Sequence, residues 1–305
     1  MSGLVQDALF FDSLDDNFVQ CLACNKKCFI ANNQLGSCKA RKNIDGKLIS
    51  IVYGQSSSQD IFNIEHIPIK HFKQGSYCFA ISTFGCNFSC KFCNNYAQSQ
   101  SNPEFFEQSF SSPKEIVEKA LQANCDGFAF SLTEPTIFCE YAFDIARLGK
   151  KEGLFSVWQS NGFMSKQMID YYAKHKLVDA INISLKGDSR FYQAFVKGVC
   201  FDELLNSIKM NFDKQIHLEL EYLLVPGMND NFRQLKELVD FVKTMSCDLP
   251  LHFHAFEPSY KMTDIVLQAS SNVVNQAVKF AKDSGLKNVY SAMAKNSKIV
   301  KSIIK

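Results

Sequence analysis

From residue 77 onward, short apolar runs alternate with amphipathic stretches, and this alternation admits few architectures. The runs cover residues 77–83, 127–132, 155–160, 180–185, 216–225 and 251–256. Each is short enough for a buried strand, and residues of helical period lie between them. Ser112-Pro113 is a helix start signal, and Ile116, Val117, Ala120 and Leu121 behind it are expected to share one buried face. Phe232, Leu235, Val239 and Val242 repeat the offsets of three and four. Strands followed in turn by helices predict an α/β fold on a parallel sheet with crossover connections. An open doubly wound sheet and a partial or complete (β/α) barrel both satisfy the pattern.

Residues 1–75 are polar, cysteine-rich and weakly periodic. Asn32-Asn33 and the glycines at 36, 46 and 54 mark turns, and Ser56-Ser57-Ser58 looks like a surface loop. So little apolar material cannot close a core alone, so a metal or docking onto the remainder must hold it. The expected division is a cysteine-rich region over 1–75 and a barrel domain over 76–305. A net charge of +2 gives no case for a nucleic-acid or membrane-surface partner. No apolar run approaches the ~20 residues of a membrane span. Residues 1–16 carry acidic side chains and lack the basic flank of a signal peptide, which points to the cytoplasm.

Twelve cysteines are many for such a compartment, and their placement matters more than their number. Cys78, Cys125, Cys139, Cys200 and Cys247 stand singly among apolar neighbours and read as small buried hydrophobes. The rest fall in two groups. In a reducing compartment, grouped thiols are better explained by metal ligation than by disulfides. Cys86, Cys90 and Cys93 follow the first strand directly, on a loop short enough to wrap one edge of an iron–sulfur cubane, each thiolate taking one iron. The fourth iron then has no local thiol and keeps an open position for a ligand. The bland alternative is a structural zinc with a distant fourth ligand.

In α/β folds, active sites lie beyond the C-terminal ends of the strands. Polar residues collect after strands two to six: Thr133-Glu134-Pro135, Gln159-Ser160-Asn161-Gly162, Ser184-Leu185-Lys186-Gly187, Pro226-Gly227-Met228-Asn229-Asp230, and His252 and His254 before Glu257-Pro258. Asn-Gly and Pro-Gly alone would be ordinary turns. Of the two histidines, only one is expected inside the barrel. Their succession on the rim that bears the cysteines favours a site.

These residues resemble the radical S-adenosylmethionine (SAM) superfamily, whose signature is C-x-x-x-C-x-x-C leaving a barrel strand. The resemblance is closest to its AmmeMemoRadiSam-system group, related to pyruvate formate-lyase activating enzymes. It rests on Gly36-x-Cys38-x-x-Arg41, the stretch from His71 to Ser76, Gly85 to Cys90, and Thr133 to Thr136. Asn161-Gly162, Asp179-Ala180 and Tyr260 to Asp264 extend it, so that it spans roughly residues 21 to 291. It implies a partial (β/α)6 barrel of the TIM type. It also implies a [4Fe-4S] cluster whose open iron chelates SAM, and reductive cleavage to a 5′-deoxyadenosyl radical that abstracts hydrogen from a substrate. The cofactors supply the difficult chemistry and the barrel supplies orientation. By the same resemblance Phe92 packs on the adenine and Thr133-Glu134 accepts the methionine ammonium. Gln159 and Asn161 face the ribose or the methionine end, and Lys186 pairs with the carboxylate. Residues 225–229 border the adenosine, and His254 reaches it from strand six. Ser184 stands where the family has Asp, Ser160 where it has Thr, and Tyr290-Ser291-Ala292-Met293 lacks the group's Gly-Asn. The implied partners are SAM, an electron donor such as flavodoxin or ferredoxin, and a substrate for which a protein is one candidate.

Cys21, Cys24, Cys28 and Cys38 offer four thiols, the number for tetrahedral zinc or for a second, fully ligated cluster. Two other readings stay open at this stage. One is a non-catalytic, zinc-stabilised binding module; the other is a degenerate relative that keeps its cluster without turnover.

Overall fold

The computed structural model describes residues 6–105, 110–264 and 268–292. All six expected strands are present: Tyr77–Ser82, Gly127–Phe130, Phe155–Ser160, Ala180–Leu185, His217–Leu224 and Leu251–Ala255. They lie side by side in chain order and pair in parallel. Two further strands complete an eight-stranded sheet. Val289–Ala292 adds a seventh parallel strand beside Leu251–Ala255. Ser58–Asn63, drawn from the cysteine-rich stretch, pairs antiparallel with Tyr77–Ser82. These two strands are the sheet's edges, so the barrel is partial. Met293, named in the sequence comparison, lies outside the described residues.

The helices start where capping chemistry puts them. Ser112 and Glu115 form a reciprocal capping box, and Pro113 opens the helix Pro113–Gln122. Ile116, Val117 and Ala120 are buried, but Leu121, expected on the same face, is 40% exposed on the flank of the last turn. Phe232 also departs from its expected face. It is the first residue of Phe232–Lys243, before the helix reaches the sheet, and packs edge-on against Phe280 with centroids 5.1 Å apart. Cys78, Cys125 and Cys139 are buried as expected, whereas Cys200 is exposed and Cys247 half-buried. Cys200 caps a helix start and Cys247 sits in a turn, where no packed face covers them. No helix among the described residues is long and apolar enough to cross a membrane.

The N-terminal residues form two three-stranded antiparallel sheets. Their Val19, Ile30, Leu48 and Val52 belong to the same buried apolar cluster as the barrel's Phe130, Trp158 and Phe163. Docking onto the barrel thus supplies the core this stretch cannot build alone. Its principal bolt is ionic. Arg41, 1% exposed, donates from Nη2 to both oxygens of Glu140, at 2.7 and 2.8 Å. The same guanidinium donates to the Leu9 carbonyl at 2.9 Å and to Cys139 Sγ at 3.1 Å.

A second buried carboxylate closes the bottom of the barrel. Glu219, fully buried, accepts the backbone N–H groups of Lys70 and His71 and faces His217 Nε2 at 2.9 Å and His252 Nε2 at 2.6 Å. Burial alone would raise its pKa, but the two histidines and the two N–H groups overcome this and lower it to about 2. A carboxylate held below its unfolded value near ~4.3 adds stability above that pH and loses it as pH falls towards the folded value. The stability difference between wild type and Glu219→Gln is therefore expected to be full at neutral pH, roughly 3 kcal/mol. It should shrink between about pH 4.5 and pH 2. Urea unfolding at pH 7 and pH 3 reads it directly, and an equal difference at both would rule out this role.

Candidate active site

The cysteine loop leaves the C-terminal end of Tyr77–Ser82. Gly85 turns it with φ +92°, and an added Cβ there would stand 2.3 Å from the Cys38 carbonyl oxygen, so only glycine fits. Cys86 and Cys93 are half-buried and Cys90 is buried. The Phe88 N–H points at Cys86 Sγ at 3.4 Å, and Ser99 Oγ lies 3.2 Å from Cys93 Sγ. Burial pushes the Cys90 thiol up to about 12, against the nearby Lys186, and pushes Cys86 well above its ordinary value. Thiols so buried ionise when a metal supplies positive charge.

Glu134 stands beside this loop at the end of the second strand, 2% exposed. Its Oε1 accepts Thr136 N, Thr136 Oγ1 and Ser160 Oγ at 3.1, 2.5 and 2.8 Å, and its Oε2 accepts Asn161 N at 2.8 Å. Burial raises its pKa despite these donors. No cation pairs with it among the described residues, and Oε2 keeps a lone pair for a further donor. Thr133 Oγ1 accepts the Thr83 N–H at 3.2 Å and so ties this segment to the cysteine loop. Asn161 Nδ2 donates to Asn87 Oδ1 at 2.7 Å and lies 3.9 Å from Cys86 Sγ. Asn87 Nδ2, within the loop itself, is buried with no hydrogen-bond partner. Gln159, on the same strand, is half-buried.

On the far side, Lys186 Nζ donates to Ser184 Oγ at 3.0 Å. Ser184 pairs in register with Glu221 on the neighbouring strand. Glu221 is 2.8 Å from His254 Nδ1, an ion pair without hydrogen-bond alignment. Burial opposes both charges, yet the contact lowers the Glu221 pKa and raises that of His254. Sequence reasoning named Ser184, Lys186 and His254 but missed Glu221. The polar residues at 217, 219 and 221 of His217–Leu224 were the available signal, since alternate residues share one face. The same period corrects the expectation for the histidines. His252 and His254 are two apart and both turn to the glutamates, His252 to Glu219 at the barrel bottom and His254 to Glu221 above it.

Two expectations about adenosine neighbours meet occupied side chains. Asn229, wholly buried, accepts from Val225 N at 2.7 Å and donates to the carbonyls of Lys186 and Leu223, so its amide locks the loop backbone. Phe92 is 6% exposed and packs against Phe191 and Phe256, with centroids 5.6 and 6.5 Å away. Across the rim, Lys261 N donates to the Lys91 carbonyl at 2.9 Å, and Tyr260 stacks on Tyr96 at 4.7 Å. A surface cavity of about 710 Å³, lined by Tyr53, Lys114, Arg147 and His175 among others, includes none of these site residues.

The structure thus gathers three thiols, an uncompensated buried carboxylate, an orphaned amide donor and a lysine on one rim. That donor set fits a [4Fe-4S] cluster carrying a ligand with an ammonium and a carboxylate. Comparison with known proteins agrees. Residues 80–242 match the family model described as the radical SAM superfamily. An uncharacterized protein of Methanocaldococcus jannaschii is 34% identical over 94% of this chain and 84% of its own length. A radical SAM methyltransferase from Sphaerobacter thermophilus shares the fold, with TM-score 0.58 and 16% identity over 76% of this chain and 70% of its own. Streptococcus suis SuiB, solved with its precursor peptide SuiA, gives TM-score 0.53 and 18% identity over 69% of this chain and 47% of its own. The family model covers more than half of the chain and the relative is similar over nearly all of it, so this chain belongs to the radical SAM superfamily, whose cofactors are a [4Fe-4S] cluster and SAM.

Proposed function

We propose that this chain cleaves SAM reductively at a [4Fe-4S] cluster held by Cys86, Cys90 and Cys93, and turns the resulting radical on a peptide or protein substrate. The observation that carries the reading is the placement of Glu134, buried and without a cation, beside the Cys86 loop. When bound, the reduced cluster supplies the electron that breaks the sulfonium C–S bond of SAM, and the 5′-deoxyadenosyl radical so formed abstracts a hydrogen atom.

The chain's own residues bind and orient. Glu134 takes the methionine ammonium on the free lone pair of Oε2, with Thr133 fixing its backbone. Lys186 offers a point charge to the carboxylate, a group suited to a mobile ligand. Ser184, standing where the family has Asp, leaves the acid of this layer to Glu221. Gln159, Asn161 and His254 border the nucleoside, and Phe92 closes the site apolar and dry. A peptide substrate is favoured by the fold shared with SuiB, whose structure carries one. Flavodoxin or ferredoxin is the fitting donor, and the cytoplasm the fitting compartment.

Anaerobic reconstitution, dithionite reduction and addition of SAM test the reading. 5′-Deoxyadenosine should accumulate, and the electron paramagnetic resonance signal of the reduced cluster should change on SAM addition. A reconstituted cluster that neither responds to SAM nor releases the nucleoside would overturn it. Glu134→Gln keeps the side-chain shape and removes the charge. A hydrogen bond to a charged group contributes roughly 1.5–3 kcal/mol, so SAM affinity should fall about 10- to 150-fold. Equilibrium binding to the reconstituted variant measures this, with circular dichroism as the control for folding.

A further inference from the structure

We propose that Cys21, Cys24, Cys28 and Cys38 hold a second, thiolate-bound metal centre that seats the N-terminal region on the active-site rim, a site that does not depend on the radical SAM reading. All four thiols line one cavity of about 10 Å³, the room of about one water-sized sphere. Ala23, Ile30 and Ile137 form its apolar walls, and Arg41 borders it. Four thiolates are the complete ligand set of structural zinc and of a closed [4Fe-4S] cluster, so this centre keeps no open position. That separates it from the three-thiol loop of the active site.

The four side chains do not converge on a single point. Among the described residues no three His, Cys, Asp or Glu side chains stand as ligands for one ion, and Cys28 Sγ lies 3.3 Å from Ser37 Oγ. Cys28 nonetheless lines the same cavity as the other three cysteines.

What such a centre would hold in place is visible in its neighbours. The Cys38 carbonyl abuts Gly85, the residue before Cys86. Cys24 forms an antiparallel bridge with Met164, and Asn25 N donates to the Phe163 carbonyl at 3.1 Å. Asn25 Nδ2 donates to the Met164 carbonyl at 2.9 Å, and Ser165 N to the Ala23 carbonyl at 3.2 Å. Thr136 and Ile137, which follow Glu134, complete the cavity wall. The centre therefore touches the three segments that carry Cys86, Glu134 and Asn161. Its four ligands come from one short stretch of chain, and a metal between them makes that stretch a rigid backing for the rim.

The test uses the full chain, purified and reconstituted without oxygen, with iron, sulfide and zinc measured per chain. Cys86→Ala/Cys90→Ala/Cys93→Ala removes the active-site ligands. This variant should retain one centre, read as about one zinc or as about four irons with sulfide. Adding Cys24→Ser and Cys38→Ser should remove it. With the triad intact, Cys24→Ser/Cys38→Ser should lower the melting temperature and weaken the SAM-induced change in the cluster's spectrum. A folded triad variant that holds neither metal overturns the proposal, as does equal metal content after Cys24 and Cys38 are changed. Failure of the active-site reading shows separately, as a triad that loads no cluster while this centre remains.

Discussion

Changing any one of Cys86, Cys90 or Cys93 to Ala is expected to abolish 5′-deoxyadenosine formation, the largest single effect on activity that the structure predicts. In the proposed ligation each thiolate takes a different iron of the cluster, so none can stand in for another. The loop is braced on both sides, by Asn161 and Asn87 next to Cys86 and by Ser99 next to Cys93, and it has no spare thiol within reach in the sequence before Cys125. The measurement is nucleoside released per chain under dithionite and SAM, alongside the spectrum of the reduced cluster. Iron content by itself is a poor readout, because iron can also reside on the N-terminal thiols. Turnover by a single-cysteine variant at a tenth or more of the wild-type rate would remove that residue from the ligand set.

The largest effect on stability is expected at the Arg41–Glu140 bolt. Both side chains are almost wholly buried, and Glu140 Oε1 also accepts the Leu9 N–H at 2.7 Å. Removing one partner of a buried pair leaves an uncompensated charge and costs roughly 3–5 kcal/mol. Arg41→Met or Glu140→Gln should therefore lower the melting temperature by about 6–10 °C, at about 2 °C per kcal/mol for a chain of this size. The double variant Arg41→Met/Glu140→Leu should recover much of the loss, because two apolar groups leave no orphaned charge. Differential scanning calorimetry of the reconstituted protein decides it. A single change that moves the midpoint by less than 1 °C would show that the pair is solvated in solution.

The Glu221–His254 pair bears on the missing family Asp at position 184. Ser184 and Glu221 face each other across paired strands, so an acid absent from one strand is present on the next. Lys186 lies close enough for its charge to act on both Cys90 and Glu221. The departure at Ser184 is thus no argument for a site without a carboxylate in this layer.

Much of the fold was legible along the chain because its causes are local. A capping box needs only Ser112 and Glu115, three residues apart, and a buried parallel strand shows itself as an apolar run. The spacing of Cys86, Cys90 and Cys93, from which we propose a metal loop, is local in the same way. Ser58–Asn63 escaped because an antiparallel edge strand that is half-buried at every position carries no apolar run. Val289–Ala292 is too short to stand out beside its helix.

The partners of the polar residues were settled in three dimensions. Arg41 and Glu140 lie 99 positions apart, and nothing near either residue marks the other. Glu134 meets Ser160 and Asn161 only because the second and third strands are neighbours in register. Glu221 reaches His254 for the same reason on the fifth and sixth. Period and spacing act over a few residues and are written in the chain, so element types and the cysteine loop could be read from it. Which buried charge finds which partner depends on the pairing of distant strands, and burying a charge is costly enough that this pairing, once formed, decides the site.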